Sequence, residues 1–78
     1  MEEIKRTSEE LLTALNNLPR HYLPKQVYEA MLALRSALKT DRITSEARDL
    51  VDSIDQNTEA VPHRIVNYVD NLQNLLAS

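Results

Sequence analysis

Glycine occurs nowhere in the 78 residues, and this absence constrains the fold more than any other feature of the sequence. Loops that cradle phosphate groups need glycine so that backbone amides can approach the ligand, which excludes a P-loop and a dinucleotide-binding fingerprint. The tight turns that join antiparallel strands also depend on glycine. The sequence therefore predicts an all-α protein.

Cysteine is absent as well. Disulfide bonds and Cys-based zinc sites cannot stabilise the chain, and it has no thiol nucleophile. A length of 78 residues predicts a single domain, residues 1–78, near the lower size limit for folding without help. We expect such a domain to gain its stability from buried aliphatic side chains, assisted by self-association.

Apolar residues recur with a helical period in four segments. The pattern predicts helices over about residues 3–17, 24–39, 44–57 and 61–77. The first helix has two alternative starts, near residue 3 or at residue 8, because Thr7 and Glu10 have the spacing of a capping box. Since the connections are short, consecutive helices should be antiparallel, which predicts an up-down four-helix bundle.

Helix boundaries have to be made without glycine. Asn16 and Asn17 are expected to end the first helix in a left-handed conformation, which asparagine tolerates well. Pro24 suits the first position of the second helix. Asn57 is the predicted end of the third helix.

The segment LPRHYLPK, residues 18–25, joins the first two helices. One interpretation makes it a joint, in which Leu18 and Leu23 turn inward and close one end of the core. The other makes it a small basic and aromatic surface, in which Arg20 and Tyr22 bind a protein, an acidic peptide or anionic lipid headgroups.

The second helix carries the main candidate for partner binding. Its outer side presents Tyr28, Leu32, Arg35 and Lys39, with the leucine centred among polar residues. Arginine and tyrosine are enriched where interfaces concentrate their binding energy. Two alternatives remain open: Tyr28 and Leu32 border the bundle core, or the same surface forms a homodimer.

Catalysis and cofactor binding are not expected. The chain has two histidines, and no serine lies in a nucleophile-elbow context. His21 and His63 with Glu59 are a weak metal signal, and solvated surface histidines are the simpler interpretation. The sequence therefore predicts a protein that is not an enzyme and that has no metal or cofactor.

Charge is distributed unevenly along the chain. Residues 19–42 carry five bases against two acids, and residues 43–57 carry four acids against one base. The bases do not gather on one face as DNA binding requires, which makes a helix-turn-helix nucleic-acid-binding protein the weaker alternative. No apolar run approaches the roughly 20 residues that span a bilayer, and the polar start does not resemble a signal peptide. A cytoplasmic location, with no more than transient membrane contact, is expected.

The string HRIVNYV, residues 63–69, resembles an Arg-aliphatic-Val-Asn-Tyr-aliphatic run in some bacteriocin immunity proteins. That resemblance implies a small cytoplasmic antiparallel four-helix bundle that protects a producer cell near a membrane receptor. It covers seven of 78 residues. In this chain the string lies on the last helix, whereas family members carry a further helix after it, and many of them are basic.

These observations favour a small helical protein-interaction module that acts by stoichiometric binding. Inhibitors, immunity proteins and regulatory factors are the classes that work in this way. The expected partner is another protein or a second copy of the chain.

Overall fold

A computed structural model describes residues 2–18 and 23–77. In these ranges the chain forms four α-helices and no strand, so the predicted all-α fold is confirmed. The helices are α1 (Glu2–Asn16), α2 (Lys25–Ala37), α3 (Ile43–Asp55) and α4 (His63–Ala77), and a short 3₁₀ helix over Thr58–Ala60 precedes α4. They form a compact bundle that measures 30 × 22 × 19 Å.

The core of the bundle is aliphatic and draws on all four helices. Its completely buried apolar side chains include Leu11, Leu15, Val27, Leu34, Ala47, Leu50, Ile65 and Leu72, each 0 % exposed. These are positions that the helical period of the sequence assigns to the buried side of each helix. Each helix is therefore left with one side that can face solvent or a partner.

Helix pairs are tied together by side-chain hydrogen bonds as well as by the core. Helix α2 packs mainly against α3, and α1 packs mainly against α4. Gln26 Nε2 donates to Gln56 Oε1 over 3.1 Å, and Gln73 Nε2 donates to Asp55 Oδ2 over 3.1 Å. The start of α2 thus lies beside the end of α3, as antiparallel neighbours require, while the up-down order of all four helices stays a prediction.

Helix α1 begins at Glu2, which decides between its two predicted starts. Glu2 and Glu3 occupy its first turn, where carboxylates interact favourably with the helix dipole. Ile4 packs against the core and so holds this first turn on the bundle. The alternative start at residue 8 is wrong, and Thr7 lies inside the helix rather than capping it.

Two prolines stand just before helices. Pro24 is the N-cap residue of α2, with φ −58° and ψ 150°, so the prediction that it is the first helical residue is wrong by one position. Its carbonyl accepts the N–H of Tyr28 over 3.1 Å, and the carbonyl of Pro62 accepts the N–H of Ile65 over 3.0 Å. Val61 is extended because it precedes a proline, so α4 begins two residues later than predicted.

No left-handed residue ends α1, α2 or α3. Positive φ angles do not occur in the described ranges, so the left-handed conformation expected at Asn16 or Asn17 is wrong for these residues. The N–H of Leu18 instead donates to the carbonyl of Leu15 over 3.1 Å, which closes α1 with a tightened turn. Helix α3 ends at Asp55, two residues earlier than predicted, and Gln56 is its C-cap residue. Asn57 follows in the turn, where its Nδ2 donates to the carbonyl of Ser53 over 2.8 Å.

Candidate interaction surface on helix α2

Leu32 is the one large hydrophobic side chain that is exposed among residues 2–18 and 23–77, at 46 %. Its neighbours Met31 and Leu34 are 7 % and 0 % exposed. An α-helix turns by about 100° per residue, so Leu32 points about 200° away from Leu34. The helix that buries one leucine in the core must therefore present the other to the outside.

Leu32 belongs to a line of side chains that we name the α2 stripe: Tyr28, Leu32, Arg35 and Lys39. Spacings of four and three residues keep the first three on one side of α2, and Lys39 follows in the turn after the helix. Tyr28 is half-buried, and the other three are exposed. Helix α2 ends at Ala37, two residues earlier than predicted, so three of the four residues lie on the helix and Lys39 lies beyond it.

The α2 stripe is basic at its C-terminal end. The structure has one ion pair in its described part, between Lys25 Nζ and Glu29 Oε1 at 3.8 Å. Arg35 and Lys39 therefore make no ion pair within residues 2–18 and 23–77. Both cations remain available for a negatively charged group from outside the bundle.

A cleft of about 320 Å³ opens between residues 5–13 of α1 and the C-terminal end of α2. We name it the α1/α2 cleft, and its lining residues are Lys5, Glu9, Leu12, Thr13, Arg35, Leu38 and Lys39. Leu12 is 5 % exposed and Leu38 is half-buried, so the cleft has an apolar base. Because Arg35 and Lys39 line it, the cleft is continuous with the α2 stripe.

Lys5 is the residue of this region that the sequence reasoning missed. It lies on α1, more than 30 positions from Arg35 and Lys39 in the chain, and becomes their neighbour only when the two helices pack. The available signal was the predicted antiparallel arrangement, which places the first turns of α1 beside the last turn of α2.

A second opening lies between α1 and α4 and is lined differently. Two adjoining depressions of about 380 and 570 Å³ share Ala14, Asn17 and Tyr68. Arg6 lines the first depression and Arg64 lines the second. Glu9 and Glu10 also line the first depression, so the two arginines of the groove are balanced by two carboxylates. The groove therefore has no excess of positive charge, unlike the α1/α2 cleft.

The second candidate patch, Arg20 and Tyr22, lies outside the residues that the structure describes. The residues on either side of it are placed, however. Leu18 is 7 % exposed, and the half-buried Leu23 packs against the core. Both leucines are therefore turned inward as predicted, while their role in closing an end of the core stays a prediction.

In residues 2–18 and 23–77, no group of three histidine or acidic side chains is arranged to hold a metal ion. Nor is any helix in those ranges both long enough and apolar enough to cross a bilayer. Comparison of the chain with protein-family models, with curated proteins and with solved structures finds no match.

Proposed function

We propose that this protein acts without catalysis, by binding a protein partner stoichiometrically through the α2 stripe. Inhibitor, immunity and regulatory proteins are the functional classes that this mode of action fits. The observation that supports the proposal is the 46 % exposure of Leu32 at the centre of a charged and aromatic stripe.

The stripe has the composition of an interface centre. Burial of a whole leucine side chain contributes about 1.5–3 kcal/mol, so covering the exposed half of Leu32 contributes roughly 1 kcal/mol. Tyr28 and Arg35 flank it and belong to the residue types that most often dominate binding energy. The larger contribution would come from these two anchors once Leu32 and its surroundings exclude water.

A partner must cover more than the stripe itself. Specific interfaces bury about 800 Å² on each partner, which is roughly 15 % of the 5197 Å² surface of this protein. The three stripe residues within α2 span only about 10 Å of the helix axis. The bound partner therefore has to extend onto neighbouring surface, and the α1/α2 cleft adjoins the stripe.

The test is capture of partners from an extract of the source cell, by the wild-type protein and by the Leu32→Lys variant. Asn71→Lys is the matched control, because it also introduces a lysine at an exposed helical position, but on α4 and outside both the α2 stripe and the α1/α2 cleft. We expect a partner that wild type and Asn71→Lys retain in equimolar amount, and that Leu32→Lys loses by at least about tenfold. Quantitative mass spectrometry measures the retained protein.

A control for folding accompanies the capture experiment. Circular dichroism should show unchanged helicity in both variants, because each substitution is at an exposed helical site. If Leu32→Lys unfolds the protein, the leucine is an ordinary core residue and the site assignment fails. A partner that binds all three proteins equally well would also contradict the proposal.

A further inference from the structure

Three cations converge on the α1/α2 cleft: Lys5 from α1, Arg35 from α2 and Lys39 from the turn after it. The single acidic residue in the lining is Glu9. None of these four residues makes an ion pair within the described part of the chain. The cleft thus carries a net charge of +2 in a protein whose formal charge is −3.

The base of the cleft strengthens the attraction of an anion to these cations. Leu12, which is 5 % exposed, and the half-buried Leu38 give the cleft an apolar part beside the charged groups. A carboxylate held here is partly removed from water, so each charge interaction is stronger than on an open surface. Arg35 adds a planar guanidinium that can bind both carboxylate oxygens.

The size and position of the cleft indicate which kind of anion it fits. At about 320 Å³ and open on one side, it lies at the lower end of the range for small-molecule pockets. It is also continuous with the exposed Leu32, because Arg35 lies about 4.5 Å further along the axis of α2. An acidic side chain carried by a larger partner fits this arrangement better than a free small molecule.

We infer that the α1/α2 cleft binds acidic side chains of an amphipathic helix on the partner protein, while an apolar residue of that helix packs on Leu32. This inference rests on the proposed function and specifies the partner class for it. The helical rise places the required carboxylates three to seven positions from the apolar anchor, on the same face of the partner helix.

A second copy of this chain is a poorer occupant. In a two-fold symmetric dimer the same patch faces itself. The outer side of α2 carries Lys25, Arg35 and Lys39 against Glu29, so such a contact would bring two net-positive surfaces together. A partner helix with acidic residues meets no such repulsion.

The experiment is selection of binders from a library of helical peptides in which one face is randomised, with the full-length protein as target. We expect the selected peptides to combine an apolar anchor with glutamate or aspartate three to seven positions away.

Three variants then test the cations of the cleft. Lys5→Gln, Arg35→Gln and Lys39→Gln should each weaken binding of the best peptide by roughly two- to fivefold. Arg6→Gln is the matched control, because this neighbouring cation lines the opposite groove and its loss should leave affinity unchanged. Affinities are measured by fluorescence anisotropy at low and high salt, and added salt should weaken binding to the wild type.

The outcomes separate this inference from the proposed function. If the selected peptides do not bind the Leu32→Lys variant but show no preference for acidic residues, the inference is wrong and the α2 stripe remains the binding site. Acidic peptides that depend on the three cations but not on Leu32 support the cleft and overturn the anchor assigned to Leu32. Failure to select any binder overturns both proposals. A last outcome would identify a lipid surface as the occupant and overturn the inference. In that case phosphatidylserine vesicles bind the wild type but do not bind the variant in which all three cations are neutralised, and the selected peptides show no preference for acidic residues.

Discussion

The two sides of α2 use the same kind of residue for different purposes. On its inner side Leu34 is 0 % exposed and packs in the core, whereas on its outer side Leu32 is 46 % exposed. The inner leucine stabilises the fold by removing apolar surface from water. The outer one gains much less from folding, so the stability of the bundle does not explain its presence.

Helix α4 shows what a solvent-facing side looks like without such a residue. Its outer side carries Asn67, Asp70 and Asn71, all of which are exposed. Helix α4 packs against the core as α2 does. The large apolar residues of α4, however, are all buried or half-buried. The comparison indicates that this bundle can form with wholly polar outer sides, and that the outer side of α2 is an exception.

The largest expected effect tests the two leucines of α2 directly. Leu34→Ala leaves a cavity in the core and should lower the free energy of unfolding by about 2–5 kcal/mol. Leu32→Ala removes a half-solvated side chain and gains slightly in helix propensity, so its cost should stay near 0.5 kcal/mol. Urea denaturation monitored by circular dichroism measures both values. Equal losses would make Leu32 a core residue and remove the distinction between the two sides.

A smaller effect concerns a polar group on the inner side of α1. Ser8 is 0 % exposed, and its Oγ has no hydrogen-bond partner. Leaving a buried hydroxyl unpaired costs about 1–3 kcal/mol, and alanine is also the better helix former. Ser8→Ala should therefore raise the free energy of unfolding by about 1.5 kcal/mol.

Ser36→Ala is the control for that measurement. Ser36 is exposed on the outer side of α2, so its replacement should contribute only the difference in helix propensity, about 0.5 kcal/mol or less. If both serine variants gain equally, the hydroxyl of Ser8 is paired, for example with a backbone carbonyl of the preceding turn.

The sequence predicted the helices well because their apolar residues recur with a period that only a helix places on one side. The same period placed Leu32 on the outer side of the second helix, but it left open whether that residue borders the core. Helix boundaries were less accurate. Whether α1 starts near residue 3 or at residue 8 depends on the packing of Ile4 against the core, which a local capping pattern does not reveal.

The α1/α2 cleft was beyond local sequence patterns for a related reason. Its cations come from two helices, and Lys5 has no distinctive neighbours in the sequence. Their meeting depends on how far α1 and α2 slide along each other, which is set by packing in three dimensions. The position of Leu32 can be predicted from the periodicity of one helix. The lining of a cleft depends on the relative positions of two helices, which the periodicity of either helix does not give.

The smallest expected effect concerns the Lys25–Glu29 ion pair at the start of the outer side of α2. Its atoms lie 3.8 Å apart, and the side chains are 90 % and 63 % exposed, so the pair contributes only about 0.3 kcal/mol. Lys25 also places a cation at the positive end of the helix dipole, which costs about 0.3–1 kcal/mol. Glu29→Gln should therefore lower the free energy of unfolding slightly, whereas Lys25→Gln should leave it unchanged or raise it.

The difference between the effects of Glu29→Gln and Lys25→Gln shows whether the charges on the outer side of α2 stabilise the helix. Helix α2 has no acidic residue in its first turn and no side-chain N-cap, so its outer side lacks the usual stabilising devices. Urea denaturation of the two single variants and the double variant gives the free energy contributed by the ion pair, and its repetition at high salt shows how much of each effect is electrostatic. The two contributions, from the ion pair and from Lys25 with the helix dipole, can then be compared. If both single variants lose stability equally and the loss disappears at high salt, the pair dominates and Lys25 stabilises the fold. If only Glu29→Gln loses stability, the cation of Lys25 opposes folding, and the outer side of α2 carries its positive charge for a reason other than stability.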